Sequence, residues 1–125
     1  MKSVCSEDAP APVGPYSQAV VRDGLVFVSG QIPLDPATGH LVTGDIETQV
    51  RRVLENLHAV LRAAGSELGR VLRTTIYLTD LDDFQRVNAV YAEFFADEPQ
   101  PARSTVQVAA LPLGARVEVD CIAHV

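Results

Sequence analysis

The most informative stretch of the chain is its C-terminal quarter, Pro101-Ala102-Arg103-Ser104-Thr105-Val106-Gln107-Val108 followed by Ala115-Arg116-Val117-Glu118-Val119-Asp120. Both segments alternate apolar with polar residues. This alternation is typical of half-buried strands. The turn residues 111–114 between them predict that the two strands form a hairpin or at least lie side by side. The Arg103 guanidinium and the Glu118 carboxylate would then share one side of a sheet. They would form a structural ion pair there, or hold a small anion beside a base.

Length, composition and charge set the class of the protein. The chain has 125 residues, of which 47% are hydrophobic and 21% charged, so we expect one folded domain over 1–125. No run of about 18 apolar residues predicts a membrane span. The N-terminus shows no basic region followed by an apolar one, so we expect a cytoplasmic protein. A net charge of −6 argues against broad binding to nucleic acid.

The cysteines and histidines show no spacing that predicts a metal site or a disulfide framework. Cys5 and Cys121 are far apart and have no CxxC partner, and His40, His58 and His124 are scattered. We therefore expect neither a metal nor a cofactor.

The remaining segments predict a short list of elements. Residues 1–13, rich in Pro and Ala, are expected to form a partly extended N-terminal arm. Strands at 16–21 and 25–29 flank a turn at 22–24, which predicts a hairpin. An apolar stripe at three-four spacing predicts a helix from Ile46 to about Gly65. A strand over 71–79 and a second helix from Phe84 follow, and Pro99 and Pro101 end that helix before the last two strands.

This order, ββαβαββ, predicts a mixed sheet with both helices on one face. Right-handed crossovers place the helices on the same side. The strand 25–28 is apolar on both sides, however, and no element remains to cover the second face. An uncovered face would be a large apolar patch, so we expect several subunits to pack their sheets together. The pattern does not give the number of subunits.

Several motifs together resemble the RidA (YjgF-type) family of reactive intermediate (enamine/imine) deaminases, in the expected order and over essentially the whole chain. They are Gly14-Pro15-Tyr16-Ser17-Gln18, Ser29-Gly30-Gln31-Ile32-Pro33, Thr74-Thr75 with Leu78-Thr79-Asp80-Leu81, Phe84 with Val87-Asn88, and Pro101-Ala102-Arg103-Ser104. The resemblance implies a chorismate-mutase-like α+β fold and a homotrimer whose sheets form a central barrel. It also implies sites in the clefts between subunits.

The chemistry implied by the resemblance is hydrolysis of 2-imino acids, such as 2-iminopropanoate and 2-iminobutanoate, to the 2-keto acid and ammonia. By resemblance, Arg103 holds the substrate carboxylate and Glu118 positions or deprotonates the water. The residues that match the lining of the family's cleft are Tyr16, Ser29, Gly30 and Asn88. Thr105 lies two residues after Arg103, where many relatives carry Cys, and hydrolysis needs no thiol at that position.

Each of these residues also has a purely structural interpretation. Arg103, Glu118 and Asn88 could be exposed polar side chains, and Tyr16 could anchor the start of a strand. Ser29-Gly30 could be a strand end that permits a close backbone approach. Asp120, the second acid on the Glu118 face, is expected to be solvent-facing or structural.

Three alternative functions remain open beside the deaminase. The same cleft could bind a keto acid or an amino acid without turnover, as a regulatory module. An RNA-acting translation inhibitor or ribonuclease is a second alternative, which the acidic balance disfavours. A chaperone-like activity would depend on surface chemistry that the sequence does not display.

Overall fold

Six strands and two α-helices follow one another in the computed structural model, which describes residues 1–125. The strands are β1 (Lys2–Val4), β2 (Ala19–Arg22), β3 (Leu25–Gln31), β4 (Val71–Leu78), β5 (Ala102–Gln107) and β6 (Val117–His124). The helices are α1 (Ile46–Ala63) and α2 (Phe84–Phe94). The α+β class and the β2–β3 hairpin agree with the sequence prediction. The predicted order omitted β1, because the first residues of the arm pair antiparallel with β2.

The sheet order is β1-β2-β3-β6-β4-β5, so β4 lies between β5 and β6. The prediction that β5 and β6 form a hairpin or lie side by side was therefore wrong. The chain leaves β4 through α2 and returns as β5, and a crossover of this kind makes β5 parallel to β4 at its outer edge. The turn at Pro112–Gly114 then leads to the opposite edge of β4, where β6 pairs antiparallel.

This strand order places Arg103 and Glu118 on opposite faces of the sheet. Arg103 aligns with Thr74 of β4, and Glu118 aligns with Tyr77, three residues further along. Successive residues of a strand point to alternate faces, so an odd separation means opposite sides. The expectation that the two side chains share one side of the sheet was wrong within a single subunit.

Both helices cover one face of the sheet and bury the core there. Asp45 caps the start of α1, where its carboxylate accepts a hydrogen bond from the Thr48 N–H at 2.8 Å. Gly65, with φ of 81°, follows the last turn, as predicted. The core members from α1 are Ile46, Val50, Val53, Leu54, Leu57, Val60 and Leu61. Neither helix combines the length and the apolar character needed to cross a membrane.

The other side of the sheet, which we call the open face, carries no helix. Phe27 and Val106 lie on it with 42% and 41% of their surface exposed. Leu25 at the start of β3 is also exposed, at 36%. The sequence prediction of an uncovered apolar face is thus confirmed, and Glu118 and Asp120 lie on the same side.

Candidate functional site

Four of the predicted site residues gather around one cavity at the edge of the open face. The cavity has a volume of about 360 Å³, and its lining includes Tyr16, Ser29, Gly30 and Glu118. These residues come from the segment between the arm and β2, from the end of β3 and from the start of β6. We call this cavity the Glu118 pocket.

Gly30 lets the Glu118 side chain lie directly against the main chain of β3. A Cβ atom at Gly30 would stand 2.7 Å from the carboxyl carbon of Glu118, closer than real Cβ contacts. The register between β3 and β6 shifts between Val28 and Gln31, where this contact lies. Ser29 is fixed next to it, because its hydroxyl donates to the Ser17 carbonyl at 2.6 Å. The predicted close backbone approach at this glycine is therefore present.

The pocket changes the acidity of Glu118. Burial raises the pKa of this carboxyl, and the negative charge of Asp120 raises it further. Asp120 accepts a hydrogen bond from the Tyr77 hydroxyl at 2.9 Å, which supports its structural interpretation. A carboxyl whose pKa is raised toward neutrality can exchange a proton with a bound water or substrate more readily.

Arg103 lies on the helix-covered face, where α2 holds its guanidinium group. The group donates a hydrogen bond to Asn88 Oδ1 at 2.8 Å. Its central carbon lies 4.9 Å from the ring centre of Tyr91 and 5.6 Å from that of Phe84. Such stacking on aromatic faces is favourable for a cation. Arg103 takes part in none of the six salt bridges, so its charge is available to an anionic ligand.

Thr105 belongs to the Arg103 side of the sheet. It lies two residues further along β5, next to Phe84 in a shallow cleft. Its hydroxyl oxygen is buried and has no hydrogen-bond partner. A buried hydroxyl without a partner is costly, so a ligand that supplies one would be favoured here. Arg103, Asn88 and Thr105 thus form a second group, which we call the Arg103 anchor.

The sequence analysis expected a helix from Phe84 and did not predict that Phe84 and Tyr91 contact Arg103. The spacing contains a signal, because Phe84, Asn88 and Tyr91 are separated by four and three residues and so share one helix face. Tyr91 is fixed in turn, since its hydroxyl lies 2.8 Å from the hydroxyl of Thr74.

Asp83 ties the two groups to the same framework. Its side chain is buried and forms salt bridges with Arg86 at 2.6 Å and Arg116 at 2.8 Å. Asp83 precedes α2, which carries Asn88, and Arg116 precedes β6, which carries Glu118. One buried carboxylate therefore fixes the starts of both functional elements.

Comparison with known proteins identifies the relatives of this chain. The family model described as Endoribonuclease L-PSP matches residues 6–125. Reactive Intermediate Deaminase A, chloroplastic, of Arabidopsis thaliana is 51% identical over 96% of this chain and 64% of its own length. The crystal structure of RidA from an Antarctic Psychrobacter is 42% identical over the full length of both chains, with a TM-score of 0.95. Escherichia coli TdcF, solved with bound serine, is 41% identical over 100% of this chain and 99% of its own, with a TM-score of 0.94.

Proposed function

The chain belongs to the Endoribonuclease L-PSP family, which includes the RidA/YjgF proteins, and from this premise we propose that it hydrolyses reactive 2-imino acids. The products are the 2-keto acid and ammonia, and the substrates are small, such as 2-iminopropanoate and 2-iminobutanoate. The observation that carries the proposal is a pair of side chains. The Arg103 guanidinium forms no salt bridge, and the Glu118 carboxyl is partly buried with a raised pKa.

Arg103 binds the substrate carboxylate. A guanidinium group offers two parallel N–H donors that match the two oxygens of a carboxylate. The Asn88 amide and the rings of Tyr91 and Phe84 hold the group in one orientation before the substrate arrives. The unpartnered Thr105 hydroxyl supplies a further hydrogen bond on the same side.

Glu118 activates the water that attacks the imine carbon. The ionised carboxylate takes one proton from the water as the new C–O bond forms, and the electron pair of the C=N bond moves to nitrogen. Glu118 then gives this proton to nitrogen, which completes a carbinolamine. It next takes the proton of the new hydroxyl group and passes it to nitrogen, so that the C=O bond of the keto acid forms as the C–N bond breaks and ammonia leaves. Its raised pKa suits both halves of this exchange. Tyr16, Ser29 and Gly30 shape the wall of the pocket around the reacting carbon.

The two groups belong to different subunits in each complete site. A small imino acid cannot contact both Arg103 and Glu118 of one chain, since the two side chains extend from opposite faces of a sheet. We propose a homotrimer in which the open faces pack together. Because β5 is an edge strand, its Arg103 anchor can then meet the Glu118 pocket of the next subunit around the edge of the sheet. The exposed Phe27, Leu25 and Val106 would be buried by this packing. A folded monomer in light scattering at micromolar concentration would contradict it.

The direct test couples a threonine or serine dehydratase to the purified protein and follows the loss of the imine. We expect the imine to disappear, and ammonia to form, faster than in the spontaneous reaction. Disappearance at the spontaneous rate would contradict the enzymatic proposal.

A binding module without turnover is the second candidate. The relative solved with bound serine favours it, because an amino acid carries the same carboxylate that Arg103 would hold. Saturable binding of serine or 2-ketobutanoate, with no acceleration of imine loss, would support this candidate. Strongly salt-dependent binding of RNA would instead support the nucleic-acid alternative.

A further inference from the structure

Besides the turn residues Pro112 and Leu113, the Glu118 pocket has two walls that lie outside the sheet. One wall is the part of the arm that follows β1, residues 5–13, which contributes Pro10, Ala11 and Val13. The other is the wall loop, residues 32–34, which contributes Ile32 and Leu34. The pairing of β1 with β2 ends at Val4, and β3 ends at Gln31. The hydrogen bonds of the preceding strands thus reach neither wall, although the wall loop pairs with the segment 41–42, where the Val42 N–H donates to the Pro33 carbonyl at 2.9 Å.

The buried amide of Gln18 fastens the arm. Gln18 is 2% exposed. Its oxygen accepts a hydrogen bond from the Ser6 N–H at 2.5 Å, and its nitrogen donates to the carbonyls of Ser6 at 3.1 Å and Pro10 at 2.9 Å. Both amide hydrogens and one oxygen lone pair are used on the arm. A buried amide is costly unless it is paired, so the arm and Gln18 hold each other in place.

The buried amide of Asn56 fastens the wall loop in the same manner. Asn56 lies in the otherwise apolar stripe of α1 and is fully buried. Its nitrogen donates to the carbonyls of Leu34 at 2.9 Å and Ile32 at 3.4 Å. Its oxygen accepts from Arg52 Nε at 3.1 Å, which fixes the orientation of the amide. The sequence analysis singled out neither amide as a site residue.

We propose that Gln18 and Asn56 are positioning residues for the Glu118 pocket, each acting through the one wall that it holds. The inference rests on the proposed function, because it assigns the two walls to substrate binding beside Glu118. Asn56 does not line the pocket, whereas Gln18 does, with the hydrogen bonds of its amide directed to the arm. Each keeps an apolar wall closed over the site, so loosening a wall weakens substrate binding more than it slows the chemical step.

The test compares Gln18→Met with Asn56→Leu in the full chain, by hydrogen exchange and by imine hydrolysis. We expect Gln18→Met to increase exchange in residues 5–13 and not in the wall loop, and Asn56→Leu to do the reverse. Each variant is thus the matched control of the other. We expect KM to rise about 10-fold in both, with a smaller change in kcat. Gln100→Met is the remote control, since it removes a single hydrogen bond to the Phe95 carbonyl at 3.1 Å.

Several outcomes would overturn the proposal. One is unchanged exchange in the wall that a variant should release, and another is a KM equal to that of Gln100→Met. Exchange that rises evenly through β4 and β6 would show a contribution to global stability instead. If Asn56→Leu does not fold, Asn56→Asp also removes the amide N–H donors and keeps a side-chain oxygen that can accept from Arg52. If the parent does not hydrolyse imine, the proposed function fails. Hydrogen exchange, together with the affinity for 2-ketobutanoate, then still tests the role of the two amides.

Discussion

Arg103 and Glu118 lie on opposite faces of one sheet, and the protein holds them in opposite ways. Arg103 is fixed by regular structure, because the Asn88 amide and two aromatic rings of α2 surround it. Glu118 lies against Gly30, in a pocket whose walls include the wall loop and the N-terminal arm. The protein therefore holds the Arg103 cation and the Glu118 carboxyl in two separate groups with different kinds of support. Each is complete in one subunit, and the proposed reaction needs both.

Removing the base should have the largest effect on the rate. Glu118→Gln keeps the size of the side chain and abolishes its ability to accept a proton. We expect imine hydrolysis to fall by roughly 10²–10⁴-fold, while a keto acid still binds through Arg103. The coupled dehydratase assay and calorimetric binding of 2-ketobutanoate measure the two properties. Glu93→Gln, at an exposed position on α2, is the control, and a Glu118→Gln variant with the parental rate would show that Glu118 is not the base.

Weakening the anchor should have the next largest effect, and it should appear in binding. Arg103→Lys keeps the charge and loses the two-pronged donor, so the bond to the substrate carboxylate weakens. Loss of a charged hydrogen bond costs about 1.5–3 kcal/mol, which predicts roughly 10- to 150-fold weaker binding of pyruvate or 2-ketobutanoate. Arg22→Lys, at the exposed end of β2, should bind as the parent does. Parental affinity in both Arg103→Lys and Arg103→Ala would make Arg103 a structural residue.

Moving the base without removing it should have a smaller effect. Gly30→Ala places a methyl group where the Glu118 carboxyl now lies, so the carboxylate must shift. We expect kcat to fall about 10- to 100-fold, the loss typical of a catalytic group displaced by about 1 Å. Binding at Arg103 should be retained. Gly69→Ala is the matched control, since the added atom there would meet only a Glu67 oxygen at 3.5 Å. Equal rates in the two variants would refute the close approach at Gly30.

The smallest effect concerns the stability of the pocket. Burial and Asp120 raise the pKa of Glu118 in the folded state above its value in the unfolded chain. Between those two values the folded protein binds more protons, so its stability falls as the pH rises through that window. Glu118→Gln has no ionisable group at this position, so its stability does not fall in this way. We therefore expect a slightly higher Tm than that of the parent at neutral pH, and no difference at about pH 4. A variant less stable than the parent at neutral pH would contradict the raised pKa of the Glu118 carboxyl in the folded state.

The alternation of apolar and polar residues predicted the positions of the strands correctly. It did not predict which strands pair with one another. Alternation along β5 and β6 shows which residues share a face within each strand. It does not show which strand lies between them. The parallel return of the chain through α2 inserted β4 between β5 and β6, and the three-residue offset along β4 turned Arg103 and Glu118 to opposite sides.

The candidate site was predicted as a set of residues, and its division into two groups was not. The motifs around Tyr16, Ser29, Gly30 and Arg103 supplied the members by resemblance. The supporting residues were harder to find, because their roles depend on contacts between distant segments. Asn56 did carry a signal, as a polar residue inside an apolar helical stripe. Gln18 lay within a motif, but only the position of the arm reveals what its amide binds.

The central claim, that each complete site takes Arg103 from one subunit and Glu118 from another, is tested most directly by subunit complementation. In this account Arg103→Ala binds the imine weakly and Glu118→Gln hydrolyses it slowly, so each has little activity at an imine concentration well below KM. The two variants are mixed in equal amounts by joint unfolding and refolding and are assayed at that concentration. Random assembly of a cyclic trimer pairs an intact Arg103 with an intact Glu118 in about a quarter of the sites. The account predicts that the mixture recovers about a quarter of the parental imine hydrolysis. A mixture as inactive as its two components, with mixed trimers verified by mass spectrometry, would contradict it.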